Sequence, residues 1–227
     1  MFSVGHTVPK GTGYIIHNKE TLMSLCVIVP TKDAIYAGIE SRSMLPRGNG
    51  VNDYIFYNDD TQKYYIINEN TAIFCVGQNT FENTNKTFVE EMKEMNISDL
   101  SLDDMLTAIN DKFSLLLDKD KRMDLCICHY CKNGLMLGYV DVGWTVSVSR
   151  YIYTPTEGFQ ILRYGVGWAM SILEHTFANN PVEFLKKAFV DVYKARARHD
   201  YTVGGPVHIM KISKDGCEWI EKDLIIE

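Results

Sequence analysis

The sequence predicts an α+β fold of four layers, an αββα sandwich in which two antiparallel sheets stack between two helix layers. Three observations predict it. Short runs of β-branched and aromatic residues recur between turn signals, which marks hairpin-connected strands. The apolar spacing twice changes to a helical period, once after Gly77 and again after Gly165. The resulting order is strands, two helices, strands, two helices, strands. Each helix pair can cover one sheet face, so two stacked sheets with a helix pair outside each bury every apolar face.

Each element has its own signal. Leu25 to Val29 and Ala34 to Ile39 are apolar runs split by Pro30-Thr31-Lys32-Asp33, a polar turn. Residues 43–52 hold Pro46, Gly48 and Gly50 and read as a loop. Tyr54 to Tyr57, Lys63 to Ile67 and Ala72 to Val76 read as further strands. Phe81, Phe88, Met92 and Met95 share a helical stripe, so a helix is expected over about 80–95. Ser101 with Asp104 three residues on starts a second helix, to about 117, in the manner of a capping box. Strands follow at Asp124–Tyr130, Leu135–Asp141 and Thr145–Tyr153, with Lys132-Asn133-Gly134 as a hairpin turn. Helices are expected at about 167–178 and from Pro181 to His199, where proline suits a first turn. Val207–Ser213 and Cys217–Glu221 close the chain as a hairpin.

Composition narrows the function classes. With 227 residues and no internal repeat or linker, the chain suits one compact domain. A net charge of −6 argues against a nucleic-acid binder that works through excess positive charge. No run approaches about 18 apolar residues, so no membrane helix is expected. The first residues lack a basic segment followed by an apolar one, so no secretory signal is expected. The six cysteines then read as reduced thiols of a cytoplasmic protein.

Three motifs resolve to structural readings. Cys126, Cys128, His129 and Cys131 resemble a metal cluster, but strand alternation sets His129 opposite Cys126 and Cys128, and no second pair completes a zinc site. No metal or other cofactor is expected. Gly165-Val166-Gly167 lacks the rest of a phosphate loop, and tight backbone packing explains it better. Lys186, Lys187, Lys194, Arg196 and Arg198 crowd a helix C-terminal half, where positive charge complements the helix dipole.

One constellation is left, spread along the first third. Glu40 and Arg42 flank Ser41 at the end of the second strand. Lys63 starts a later strand, and Gly77 ends the one after it, where its N–H can face an oxyanion. Val27 to Arg42 resembles the opening hairpin of proteasome β-type subunits, which are N-terminal-nucleophile hydrolases. Lys63 to Asn68 resembles that family's catalytic-lysine strand, and Ala72 to Gly77 its oxyanion strand. Ala195 to Gly205, with Asp200, resembles the segment carrying a supporting aspartate, and Val207 to Ile220 the last hairpin.

The resemblance covers residues 25–221 and implies the αββα sandwich, here 24–227, behind a leader of residues 1–23. It implies Ser24 as nucleophile, with Glu40, Arg42, Lys63, Gly77 and Asp200 around it. The sequence departs from the family in having Ser24 for threonine, Glu40 for aspartate, Met23 where self-cleaving precursors have glycine, and Val166 and Val203 for two supporting serines. The expectation is therefore a self-assembling, ring-forming homo-oligomer that keeps its leader and has weak or no peptidase activity. The alternative is an active peptidase acting on peptide or protein substrates after loss of residues 1–23. The leader, strand-like at Gly13 to His17, is expected to cover a sheet edge beside the cleft.

Overall fold

A computed structural model describes residues 24–46, 54–118, 121–131, 134–143, 147–153, 161–165, 167–196 and 202–226. The expected leader, Val166 and Asp200 lie outside the described residues.

The first strands are β1 (Leu25–Pro30), β2 (Ala34–Glu40), β3 (Ser43–Pro46), β4 (Tyr54–Asn58), β5 (Tyr64–Asn68) and β6 (Thr71–Gly77). Next come β7 (Thr80–Phe81), β8 (Lys86–Thr87), α1 (Phe88–Lys93) and α2 (Leu102–Leu116). They are followed by β9 (Met123–Cys131), β10 (Gly134–Val142), β11 (Ser147–Tyr153) and β12 (Leu162–Gly165). The chain continues through α3 (Gly167–Leu173), α4 (Pro181–Ala195), β13 (Val207–Ser213) and β14 (Gly216–Leu224).

The two-sheet, four-layer sandwich expected from the sequence is corrected by this strand pairing. The described residues form four sheets, and fourteen strands stand against four helices. Two sheets are five-stranded, ordered β12-β1-β2-β13-β14 and β11-β10-β9-β6-β5; β3-β4 and β7-β8 form two small sheets of their own. The sequence reading gave every strand to one of two sheets and put helix where β7 and β8 lie. A tight turn intervenes there, with Asn85 at φ 53° and its N–H bonded to the Phe81 carbonyl. The helix expected from residue 80 begins only at Phe88, because Thr87 and Glu90 form a capping box. The 43–52 segment, expected as loop, contains β3, which pairs with β4. β12 was not anticipated, and α3 ends at Leu173, short of 178.

Three apolar clusters hold the elements together. One lies between the two large sheets and includes Ile28, Ile39, Phe74, Leu137 and Met210. A second joins the other face of β6, β9 and β10 to α1 and α2, through Ile73, Leu125, Phe88, Leu106 and Phe113. The third joins β1 and β13 to α3 and α4, through Val27, Ile209, Leu173, Leu185 and Phe189. Strand alternation explains the division, since Cys26 and Ile28 face one cluster while Leu25, Val27 and Val29 face the other. Each such side chain, fully buried, contributes roughly 1.5–3 kcal/mol. Two glycines set the helix distances. A Cβ on Gly38 would lie 2.8 Å from the Phe189 ring, and one on Gly138 would lie 2.7 Å from a Leu106 methyl.

Candidate active site

The site forms where β2 ends. β1 and β2 are antiparallel, with Cys26 opposite Ile39, so the residues before Cys26 lie beside Glu40. Leu25 N–H donates to Glu40 Oε1 at 3.4 Å. Lys63 immediately precedes β5 in the other large sheet, and its carbonyl accepts the Cys75 N–H of β6 at 2.8 Å. Its side chain crosses to the first sheet. There Nζ donates to Glu40 Oε1 at 2.6 Å, to Ser24 Oγ at 2.9 Å and to the Arg42 carbonyl.

Burial is nearly complete: Ser24 is 1% exposed, Glu40 0% and Lys63 2%. Lys63 meets three acceptors, one for each proton of an ammonium. Glu40 meets only donors. Besides Lys63 and Leu25 N–H, its Oε2 accepts Arg42 N–H at 2.7 Å and Gly204 N–H at 3.3 Å. A carboxylate so surrounded has no acceptor for a proton of its own. Burial pushes the Glu40 carboxyl above its usual range, and the Lys63 ammonium and the backbone donors of Arg42 and Gly204 pull against it.

Arg42 closes the outer wall. Its Nε and one terminal nitrogen donate to the two Asp59 carboxylate oxygens at 2.6 and 2.8 Å, and its guanidinium lies 5.1 Å from the Phe56 ring centre. Ser41 Oγ lies 2.6 Å from the Asp59 carbonyl and 2.9 Å from that of Pro206. Gly204 is required here because any Cβ would collide with the Arg42 guanidinium.

Of the residues singled out in the sequence, Ser24, Glu40, Arg42 and Lys63 thus come together. Gly77 ends β6 with φ 100°, two residues past Cys75, the backbone partner of Lys63. Among the described residues no hydrogen bond joins Gly77 to Ser24. Asp200 lies outside the described residues. Val203 is fully buried in the apolar cluster under α4, so it brings no hydroxyl to the site.

No family model matches the chain, and no curated protein matches it. What bears on function is therefore the geometry itself.

Asp59 carried no local signal in the sequence, whereas the tight backbone packing read from the sequence at Gly165 is met in the structure. Asp59 sat in the Asn58-Asp59-Asp60 turn, seventeen residues beyond the arginine it holds. Gly165 pairs with Leu25 across β12 and β1, and its φ of 137° and the absence of a side chain let the Ser24 carbonyl pass against it. The Cys-His motif falls apart as strand alternation requires. Cys126 and Cys128 face the inter-sheet cluster, while His129 Nδ1 lies 2.8 Å from Thr71 Oγ1.

Chemically, an ammonium fixed on a serine hydroxyl stabilises negative charge developing on that oxygen. It cannot also take the serine proton while it holds three acceptors. A base must come from elsewhere, and the nearest new one that cleavage could create is the α-amine of Ser24.

Proposed function

We propose that this protein is a latent amide hydrolase, a peptidase of the N-terminal-nucleophile type. Ser24 becomes the nucleophile once residues 1–23 are released. The observation that carries this reading is the buried Lys63 ammonium, which Glu40 and Arg42 hold against Ser24 Oγ. In the release step Ser24 Oγ attacks the Met23 carbonyl carbon, its proton passes to the departing Ser24 nitrogen, and the C–N bond breaks as the acyl group moves to oxygen. Water then hydrolyses the ester, giving a Met23 carboxylate and a free Ser24 amine. With an ordinary pKa of about 7.7–8.0, that amine can accept the serine proton when a peptide substrate is attacked. The Gly77 N–H is the proposed oxyanion donor, and Asp200 a supporting group.

Intact mass spectrometry tests the first step and peptide hydrolysis the second. A chain whose first residue is Ser24, released from an N-terminal fusion, is expected to cleave peptide amides, whereas the chain bearing residues 1–23 is not. Lys63→Ala and Ser24→Ala are expected to abolish that activity. A folded chain beginning at Ser24 that cleaves no peptide amide would sink the proposal. It would favour the second reading, a non-catalytic assembly subunit, which the near-complete burial of Ser24 supports. In either case we propose a homo-oligomeric ring, and light scattering should report a mass several times 25.9 kDa.

A further inference from the structure

A cavity of about 300 Å³ lies at the edge of the inter-sheet space, where Tyr64 of β5, His208 of β13 and Lys222 and Asp223 of β14 meet. β5 and β14 are the edge strands of the two large sheets. The cavity backs onto the 40–42 segment. Glu40 serves Lys63, whereas the Ser41 hydroxyl, which lines the cavity, lies within reach of the Asp59 and Pro206 carbonyls and can donate to one of them.

Two aromatic side chains, Tyr64 and His208, line the cavity. The Tyr64 and His208 rings lie 5.1 Å apart, and Trp219 packs edge-on to Tyr64 at 4.7 Å. Tyr64 is 8% exposed and His208 6%, yet both line the cavity. His208 Nδ1 accepts the backbone N–H of Asp223 at 3.3 Å, so the neutral ring carries its proton on Nε2. Among the described residues neither Nε2 nor the Tyr64 hydroxyl has a hydrogen-bond partner. Both residues line the cavity, so a ligand acceptor there can take a hydrogen bond from each donor.

The rim supplies opposite chemistry. Asp60, Asp223 and Lys222 line it, and Asp59 is neutralised by its two bonds to Arg42. Among the described residues the carboxylates of the rim outnumber its cation, so an anionic ligand is disfavoured. A simple amine would suit the rim but leave the Tyr64 and His208 donors unmet. A cation with a carbonyl oxygen a few ångströms away meets both requirements.

We propose that this cavity binds the amino terminus of a peptide. The α-ammonium sits between Asp60 and Asp223, and the first peptide carbonyl accepts from the Tyr64 hydroxyl and His208 Nε2–H. The volume lies at the lower end for ligand sites and suits one or two residues. The site is separate from Ser24 and does not rest on the hydrolase reading.

The test is a titration of the full-length Ser24→Ala chain with a tetra-alanine amide and with its N-acetylated form. Binding is followed by Trp219 fluorescence and by the His208 ring signals in NMR. The free-amine peptide is expected to saturate both signals. The acetylated one, which lacks the charge, should bind at least about tenfold more weakly. Asp223→Asn should produce a similar loss, and Asp60→Asn, on an exposed residue, repeats the test should Asp223→Asn fail to fold. Equal binding of the two peptides, unchanged binding in the folded Asp60→Asn variant, or no saturable response at millimolar peptide would overturn the proposal.

Discussion

Lys63 and Glu40 form a charge pair removed from water, and such a pair is costly to break from one side. Lys63→Met leaves a buried carboxylate without its cation, and a loss of about 3–5 kcal/mol is expected, read as a lower urea midpoint. Lys63→Met combined with Glu40→Gln removes both charges and should recover part of that loss. If the single variant is as stable as the parent, the pair is not buried as described. The histidines give a pH signature. Burial lowers the pKa of both His129 and His208, and for His208 Lys222 adds to this while Asp223 opposes it. The unfolded chain therefore takes up protons that the folded one refuses below the ordinary histidine value of about 6.5. Stability from these residues is fully present above that pH and falls as the pH drops through the window beneath it. Thermal melts across this range should show the decline, and replacing His129 and His208 with Gln should flatten it.

The helices meet the sheets through contacts that single substitutions can probe. Gly38 lies under α4 against the Phe189 ring, and Gly138 lies under α2 against Leu106. Gly38→Ala is expected to cost about 1–3 kcal/mol, because a ring packed in the helix cannot step aside without moving its neighbours. Gly138→Ala should cost less, since the Leu106 methyls end a flexible side chain. Equal losses in chemical denaturation would contradict this ranking. Thr87 caps α1, a helix of six residues that carries Phe88 and Met92 into the core. Thr87→Ala should cost about 1 kcal/mol through the lost cap. Apolar period made α2 and α4 legible in the sequence, and Ser101 and Pro181 were read at their starts. It misled at residues 80–87, because Phe81 and Phe88 reach the same cluster from a hairpin and a helix. A shared stripe of buried residues does not require one continuous helix.

Across the whole molecule, burial sorts the thiols. Cys26, Cys75, Cys126 and Cys128 are buried, whereas Cys131 and Cys217 are partly exposed. Burial pushes the Cys217 thiol up to about 11, so little of it is thiolate at neutral pH. Alkylation of the native protein followed by peptide mapping should modify Cys131 first. The four buried thiols should react only through opening of the fold. Rapid labelling of Cys126 or Cys128 would show that the two large sheets part readily. Among the described residues no helix is long and apolar enough to cross a membrane.

The sequence by itself determined where strand periods and helical periods lie, because side-chain alternation and the 3.6-residue repeat are written locally. It also marked Lys63 and Glu40, through their likeness to a family pattern. The number of sheets was not legible, because pairing joins residues far apart in the chain and the small β3-β4 and β7-β8 ladders depend on where turns let them close. Nor was the wall of the site. Lys63 reaches Ser24 across 39 positions, and Gly204 reaches Glu40 across 164. Asp59 holds Arg42 only because the β3-β4 hairpin returns the chain beside β2. Tertiary structure decided these contacts, since no local pattern encodes which distant backbone donor will complete a buried carboxylate.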